Sequence, residues 1–280
     1  MIFIGWLVLA AGLAVCWYPL RQLSDMQIGN PQLLFFAFSS ASLCTVPWLV
    51  YQMKQWRKDA PYLLGVGLSG AVMLTFFHFA ILNGNPQTVI GLFCLVPAII
   101  MLVSKLLAQE VLDFTRFLSL VLIIAACLLA VLTTTGGIRA YWTDFISLIA
   151  GIACYLFFKL QHPTLKLPIM SRLSVILICS TWMVGMVIIF SPRVVSFPQE
   201  NANLASVMYG IFCVIPVLLA LLHVLSDKKE KHLLLWLALS LGVGVVGSVI
   251  AAGKLMMFSH WAPLILLLLS ACVLITKLID

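Results

Sequence analysis

The sequence predicts an all-α polytopic membrane protein, with ten transmembrane helices arranged as two inverted five-helix repeats. Three observations lead there. Of 280 residues, 63% are apolar and only 9% charged, with a mean hydropathy of +1.16. A soluble domain carries about 25% charged residues, and a globule of this length could not cover its surface with so few. The apolar runs are continuous rather than alternating with period two, which argues against a membrane β-barrel. Finally, lysine and arginine fall unequally on the two sides of the resulting map.

A span needs about 20 residues, so ten use about 200 and leave about 80 for short connections. The first is read at about 2–20, because Met1-Ile2-Phe3-Ile4-Gly5-Trp6 has no basic region and no clear cleavage site. Gly29-Asn30-Pro31 opens the second (about 31–51) and Asp59-Ala60-Pro61 the third (about 61–82). Asn83-Gly84-Asn85-Pro86 separates the third from the fourth, at about 87–107. The fifth, at about 115–134, ends before Gly136-Gly137, and the sixth and seventh follow at about 145–160 and 172–191. The charged run Asp227-Lys228-Lys229-Glu230-Lys231 divides the eighth (about 203–225) from the ninth (about 232–252), and the tenth covers about 261–277.

Lys54, Arg57, Lys58, Lys105, Arg116, Lys159, Lys166, Arg172, Lys228, Lys229, Lys231 and Lys277 share the side of the N-terminus. Arg21, Arg139, Arg193 and Lys254 lie opposite. Twelve against four is a strong positive-inside bias, so both termini are expected in the cytoplasm. The bias accounts for the net charge of +7 without a nucleic-acid partner. Ten spans divide into repeats over residues 1–140 and 141–280, and an odd number per repeat forces the second to enter the membrane inverted. Faint echoes accompany the division: Ala11-Gly12-Leu13-Ala14 with Ala150-Gly151-Ile152-Ala153, and Ala126-Cys127-Leu128-Leu129 with Ala271-Cys272-Val273-Leu274. At the offset of the second echo, His78 falls on His223.

The chemistry-bearing residues are sparse. Gly65-Val66-Gly67-Leu68-Ser69-Gly70 and Gly242-Val243-Gly244-Val245-Val246-Gly247 spell GxGxxG. Neither follows a strand in a soluble βαβ unit, so both read as helix-packing glycines rather than a dinucleotide site. All eight cysteines lie in apolar runs without metal-ligand spacing, and no metal or other cofactor is expected. Every Asp and Glu lies at a span end or in a loop. This removes the catalytic sets a membrane enzyme needs and the buried carboxylates that usually carry protons. His78 and His223 remain as the proton-coupling candidates. Tyr155 and Tyr209 lie deep enough in spans that their hydroxyls need partners. With Trp17, Tyr18, Phe77, His78 and Pro97 they form the candidate solute-binding set, to which the interfacial belt is the plain alternative for Trp17 and Tyr18.

The run Phe76-Phe77-His78-Phe79-Ala80, Asn83-Gly84-Asn85-Pro86, Leu95-Val96-Pro97 and Leu106-Leu107-Ala108-Gln109-Glu110 resembles the EamA-type members of the drug/metabolite transporter superfamily. The helix-4 proline followed about thirteen residues later by a glutamate is similar to that family's pattern, as are Trp17 near the end of helix 1 and Asp144 opening helix 6. The second half departs from it, with Gly242 and Gly244 where helix 9 should carry a proline. The resemblance implies a bacterial inner-membrane carrier of a small metabolite, an amino acid or related compound, often moved outward. Its partners would be that solute and the lipid bilayer, as a monomer or homodimer. A polytopic membrane enzyme and a non-transporting scaffold are the alternatives.

Overall fold

The computed structural model describes residues 2–24, 29–108, 113–135, 142–161, 166–190, 200–226, 230–251 and 258–279, with a few side chains at helix ends, Trp17 among them, outside the description. Ten helical segments follow in order. They are α1 (Ile2–Ala11, a 3-10 turn at Gly12–Ala14, then Trp17–Ser24), α2 (Asn30–Tyr51), α3 (Ala60–Asn83), α4 (Pro86–Leu107) and α5 (Phe114–Thr135). Then come α6 (Trp142–Gln161), α7 (Ile169–Phe190), α8 (Glu200–Tyr209, a π-turn at Gly210–Val214, then Ile215–Ser226), α9 (Glu230–Ala251) and α10 (Phe258–Ile279). Among the described residues nine segments are long and apolar enough to cross a membrane, and α10 supplies a shorter apolar stretch, Trp261–Leu274. The protein is a ten-helix, multi-pass membrane protein.

Turn chemistry sets the boundaries. Pro86 occupies the first position of α4, and the Asn85 side chain accepts from the Gln87 amide at 3.0 Å, an ordinary N-cap. Two departures from the expected spans have backbone causes. The first span is not one helix: Pro19 has no N–H for the Val15 carbonyl, and just upstream the amides of Val15 and Cys16 both bond Gly12 O at 2.9 Å. In α8, Pro216 withholds its N–H from Phe212, and the preceding turn widens into the π-turn. A short helix, Met53–Trp56, also fills what reads as a plain loop between α2 and α3.

The packing order is regular. α3 lies against α6 and α7, α2 against α7 and α8, and α5 against α4 and α10. α4 touches α6 and α9, and α1 touches α8 and α9. Helix ends meet as an up-and-down path requires. Phe3 lies 4.5 Å from the His232 ring and Trp6 4.9 Å from His223, joining the start of α1 to the end of α8 and the start of α9. At the opposite end Ser24, Asn30 and Asn83 form a hydrogen-bonded chain of 2.6 and 3.0 Å.

The glycine motifs are packing devices, as their residue types imply. A methyl group on Gly67 would run into Val175, and one on Gly70 would lie 2.9 Å from Ile176 Cγ1. In α9, a methyl on Gly244 would lie 2.6 Å from Ile90 Cδ1, whereas Gly242 and Gly247 have only ordinary contacts.

Candidate functional site

His78 is the polar centre of α3 and is 2% exposed. Its Nδ1 lies 2.7 Å from the Leu74 carbonyl, which can only accept, so Nδ1 carries the proton. Nε2 therefore accepts from the Tyr209 hydroxyl of α8, 3.1 Å away. The thiol of Cys16, at the break in α1, is a neighbour of that hydroxyl. His78 thus ties α3 to α8 through a neutral ring with both nitrogens occupied. Phe38 of α2 stands edge-on to it, at 5.5 Å between centroids.

An aromatic chain leads from there to α4 and α9. Phe77 is 4.8 Å from Phe93, and Phe93 is 6.2 Å and nearly perpendicular to Trp236. Pro97, one turn beyond Phe93, is buried and has no N–H for the Phe93 carbonyl. Gly151 of α6 comes up to that carbonyl, so closely that a methyl group there would lie 2.9 Å from the oxygen. Trp236 is fully buried, and among the described residues its indole nitrogen has no hydrogen-bond partner. The hydroxyl of Ser240, one turn along α9, is likewise buried and unpartnered.

The structure therefore brings Phe77, His78 and Tyr209 together, with Pro97 behind Phe93. It places the other expected residues elsewhere. Tyr155 is half-buried toward the end of α6, 3.4 Å from the Ser104 hydroxyl and beneath the Lys159 ammonium. Tyr18 is exposed, and the side chain of Trp17 lies outside the described residues. His223 is exposed and rests on Trp6, so the sequence echo joins two histidines in unlike surroundings. Of the basic residues used for topology, Arg139, Arg193, Lys228, Lys229, Lys254 and the Lys277 side chain lie outside the described residues.

Charged groups gather at the end shared with the N-terminus. Glu230, in the first turn of α9, meets Lys105 of α4 at 3.3 Å and Lys159 of α6 at 3.8 Å. The Lys105–Glu230 pair is about one-fifth exposed, so solvent leaves it a coupling of about 1 kcal/mol or less. In a double-mutant cycle, Lys105→Met and Glu230→Gln should each lower thermal stability slightly and couple by about that amount. A coupling above about 3 kcal/mol would contradict this.

Sequence reading missed Trp236 and the burial of Arg172. A tryptophan inside the leucine run 233–237, about two turns beyond the charged break at Glu230, is the signal that could have flagged the first. At the opposite end Arg21 donates to Ile81 O at 3.1 Å and to Gly84 O, capping the C-terminus of α3.

Comparison with known proteins completes the picture. A solved crystal structure titled only as that of a protein aligns over 99% of both chains, with a TM-score of 0.70 at 16% identity; the likeness shows the fold. A sequence search among curated proteins finds no match. Residues 1–132, which reach almost to the end of α5, match the model of the EamA-like transporter family. Through this first set of five helices, the chain is similar to the EamA-like transporter family, which is consistent with the drug/metabolite transporter superfamily.

Proposed function

We propose that this transporter is a secondary carrier of a small metabolite, working by alternating access between two inverted repeats, residues 1–140 and 141–280. One observation carries the reading: adding five to each helix number maps the principal helix contacts onto one another. The pairs α3–α6 and α1–α8 correspond, as do α4–α6 and α1–α9, α3–α7 and α2–α8, and α4–α5 and α9–α10. α2–α7, α4–α9 and α5–α10 map onto themselves. This correspondence supports two halves related by a two-fold axis, and in the carrier reading one half rocks against the other around a central site. The test is counterflow in proteoliposomes across a panel of amino acids and related metabolites. Saturable exchange of one class supports the carrier, and no flux of any member contradicts it.

The location proposed is a bacterial inner membrane, with both termini in the cytoplasm. The twelve-to-four basic split supports this, and so does the meeting of Lys105, Lys159 and Glu230 at the end of the bundle where α1 begins. In a cysteine-free variant, a cysteine at position 229 should resist impermeant reagent outside intact cells and one at position 139 should react. The reverse pattern would sink the topology.

For energetics we infer facilitated exchange or uniport rather than obligatory proton antiport. His78 is held neutral between an acceptor and a donor, and no carboxylate lies mid-span in the sequence. His78→Gln is expected to leave the pH dependence of flux nearly intact. Its loss would instead make His78 the proton relay.

A further inference from the structure

The α4–α9 crossing holds polar groups that the folded chain leaves unanswered. Trp236 Nε1 is a donor and nothing else; it is fully buried and has no acceptor among the described residues. Ser240, one turn on, is 2% exposed, and its hydroxyl is also unpartnered. With Gly244 they form an i, i+4, i+8 stripe, which is a single helix face. That face meets α4: Phe93 stands against Trp236, and Ile90 against Gly244. Leaving buried donors unmet costs about 1–3 kcal/mol each, so they are poorly explained as packing alone.

We propose, building on the carrier reading, that this stripe is the polar anchor for the solute, and that the solute is a flat, uncharged aromatic molecule with a carbonyl-type acceptor. The acceptor would take the hydrogen bonds of Trp236 Nε1 and Ser240 Oγ. Phe77, Phe93 and Trp236 pack on one another at 4.8 and 6.2 Å in this conformation and leave no space between them, so the ring would enter against Phe93 and Trp236 only as α4 and α9 part. Neutrality follows from the surroundings. Among the described residues the one fully buried ionic side chain is Arg172, already bonded to Gln161 and Ser226 near the helix ends. A charged solute at the crossing would lose its hydration with no counter-charge to replace it.

The experiment uses the purified full chain in nanodiscs, with benzamide as the neutral probe and benzoate as its charged near-isostere. Benzamide is expected to raise the melting temperature saturably and benzoate to have little effect. Trp236→Phe, which keeps a ring and removes the N–H, should weaken benzamide binding about three- to tenfold, and Ser240→Ala should weaken it similarly. In wild-type protein with 15N-labelled indoles, one tryptophan N–H resonance should shift on adding benzamide, a readout that needs no variant. Preference for benzoate, unchanged affinity in Trp236→Phe, no moving indole resonance, or no benzamide binding would each overturn the anchor. The carrier reading fails separately, through absence of counterflow for every solute of the metabolite panel.

Discussion

Replacing Gly210 with alanine is expected to cost this protein at least about 3 kcal/mol and to separate α2 from α8. Gly210 opens the π-turn and is pressed onto the backbone of α2. A methyl group there would overlap the Ala37 carbonyl oxygen, lie 2.8 Å from the Ala37 carbonyl carbon and reach within 2.7 Å of Ser40 Oγ. A flexible side chain could rotate away from such a methyl, but a helix backbone cannot. The contact also supports the Ser40 hydroxyl, which lies 2.9 Å from Ala37 O and 3.3 Å from Val207 O. Moving α8 outward would break the second of these bonds. It would also draw Tyr209, the residue before Gly210, away from His78. Gly247→Ala is the control: its nearest neighbours are Val15 methyls at 3.8–3.9 Å, so alanine fits and gains helix propensity. Thermal unfolding in detergent should show a large loss for the first variant and none for the second. Equal melting temperatures would refute the close approach.

The ladder of spans was legible in the sequence because the membrane requires it. Each crossing must satisfy its backbone internally, so long apolar runs between Gly-Asn-Pro and charged breaks had few other ways to fold. Local chemistry was legible for the same reason: Asn85 and Pro86 start α4 by side-chain capping and a fixed φ. The interruption of α1 was less visible, although Pro19 announces it, because an apolar run reads the same whether wound as one helix or two. Partner identity was beyond the sequence. His78 and Tyr209 are 131 positions apart, and both stood out as polar groups in apolar helices, but nothing in periodicity joins them. Trp236 was hidden by its neighbours, since within Leu233-Leu234-Leu235-Trp236-Leu237 it reads as one more large apolar side chain, and only its N–H asks for a partner. Whether that N–H is answered depends on the helices around it.

Arg172 shows the same limit and carries the second large effect. From sequence it is one of twelve basic residues on the N-terminal side, fit to sit in the headgroups. In the fold it is 1% exposed, bonded to Gln161 Oε1 at the end of α6 and, at 3.2 Å, to Ser226 Oγ at the end of α8. Arg172 itself lies in the first turn of α7, so it ties together three helix ends of the proposed second repeat. Its neighbour Ser171 adds a fourth, bonding Gln52 Oε1 beyond the end of α2 at 2.8 Å. Arg172→Ala would leave the buried Gln161 carbonyl without this donor and empty the space of the arginine stem. The two losses together amount to about 3 kcal/mol or more. Arg172→Met refills the stem without restoring the donor, and should recover part of the loss. Ser226 suffers less, because its hydroxyl also bonds Leu222 O. Arg172 bonds neither Trp236 nor Ser240, so solute affinity in the surviving folded fraction should stay near that of the wild type. Unfolding curves and binding isotherms on the same samples separate the two effects. An alanine variant as stable as the wild type would mean that the buried guanidinium contributes nothing net. A variant that keeps its stability and loses its affinity would move Arg172 from a clamp of the second repeat into the solute site.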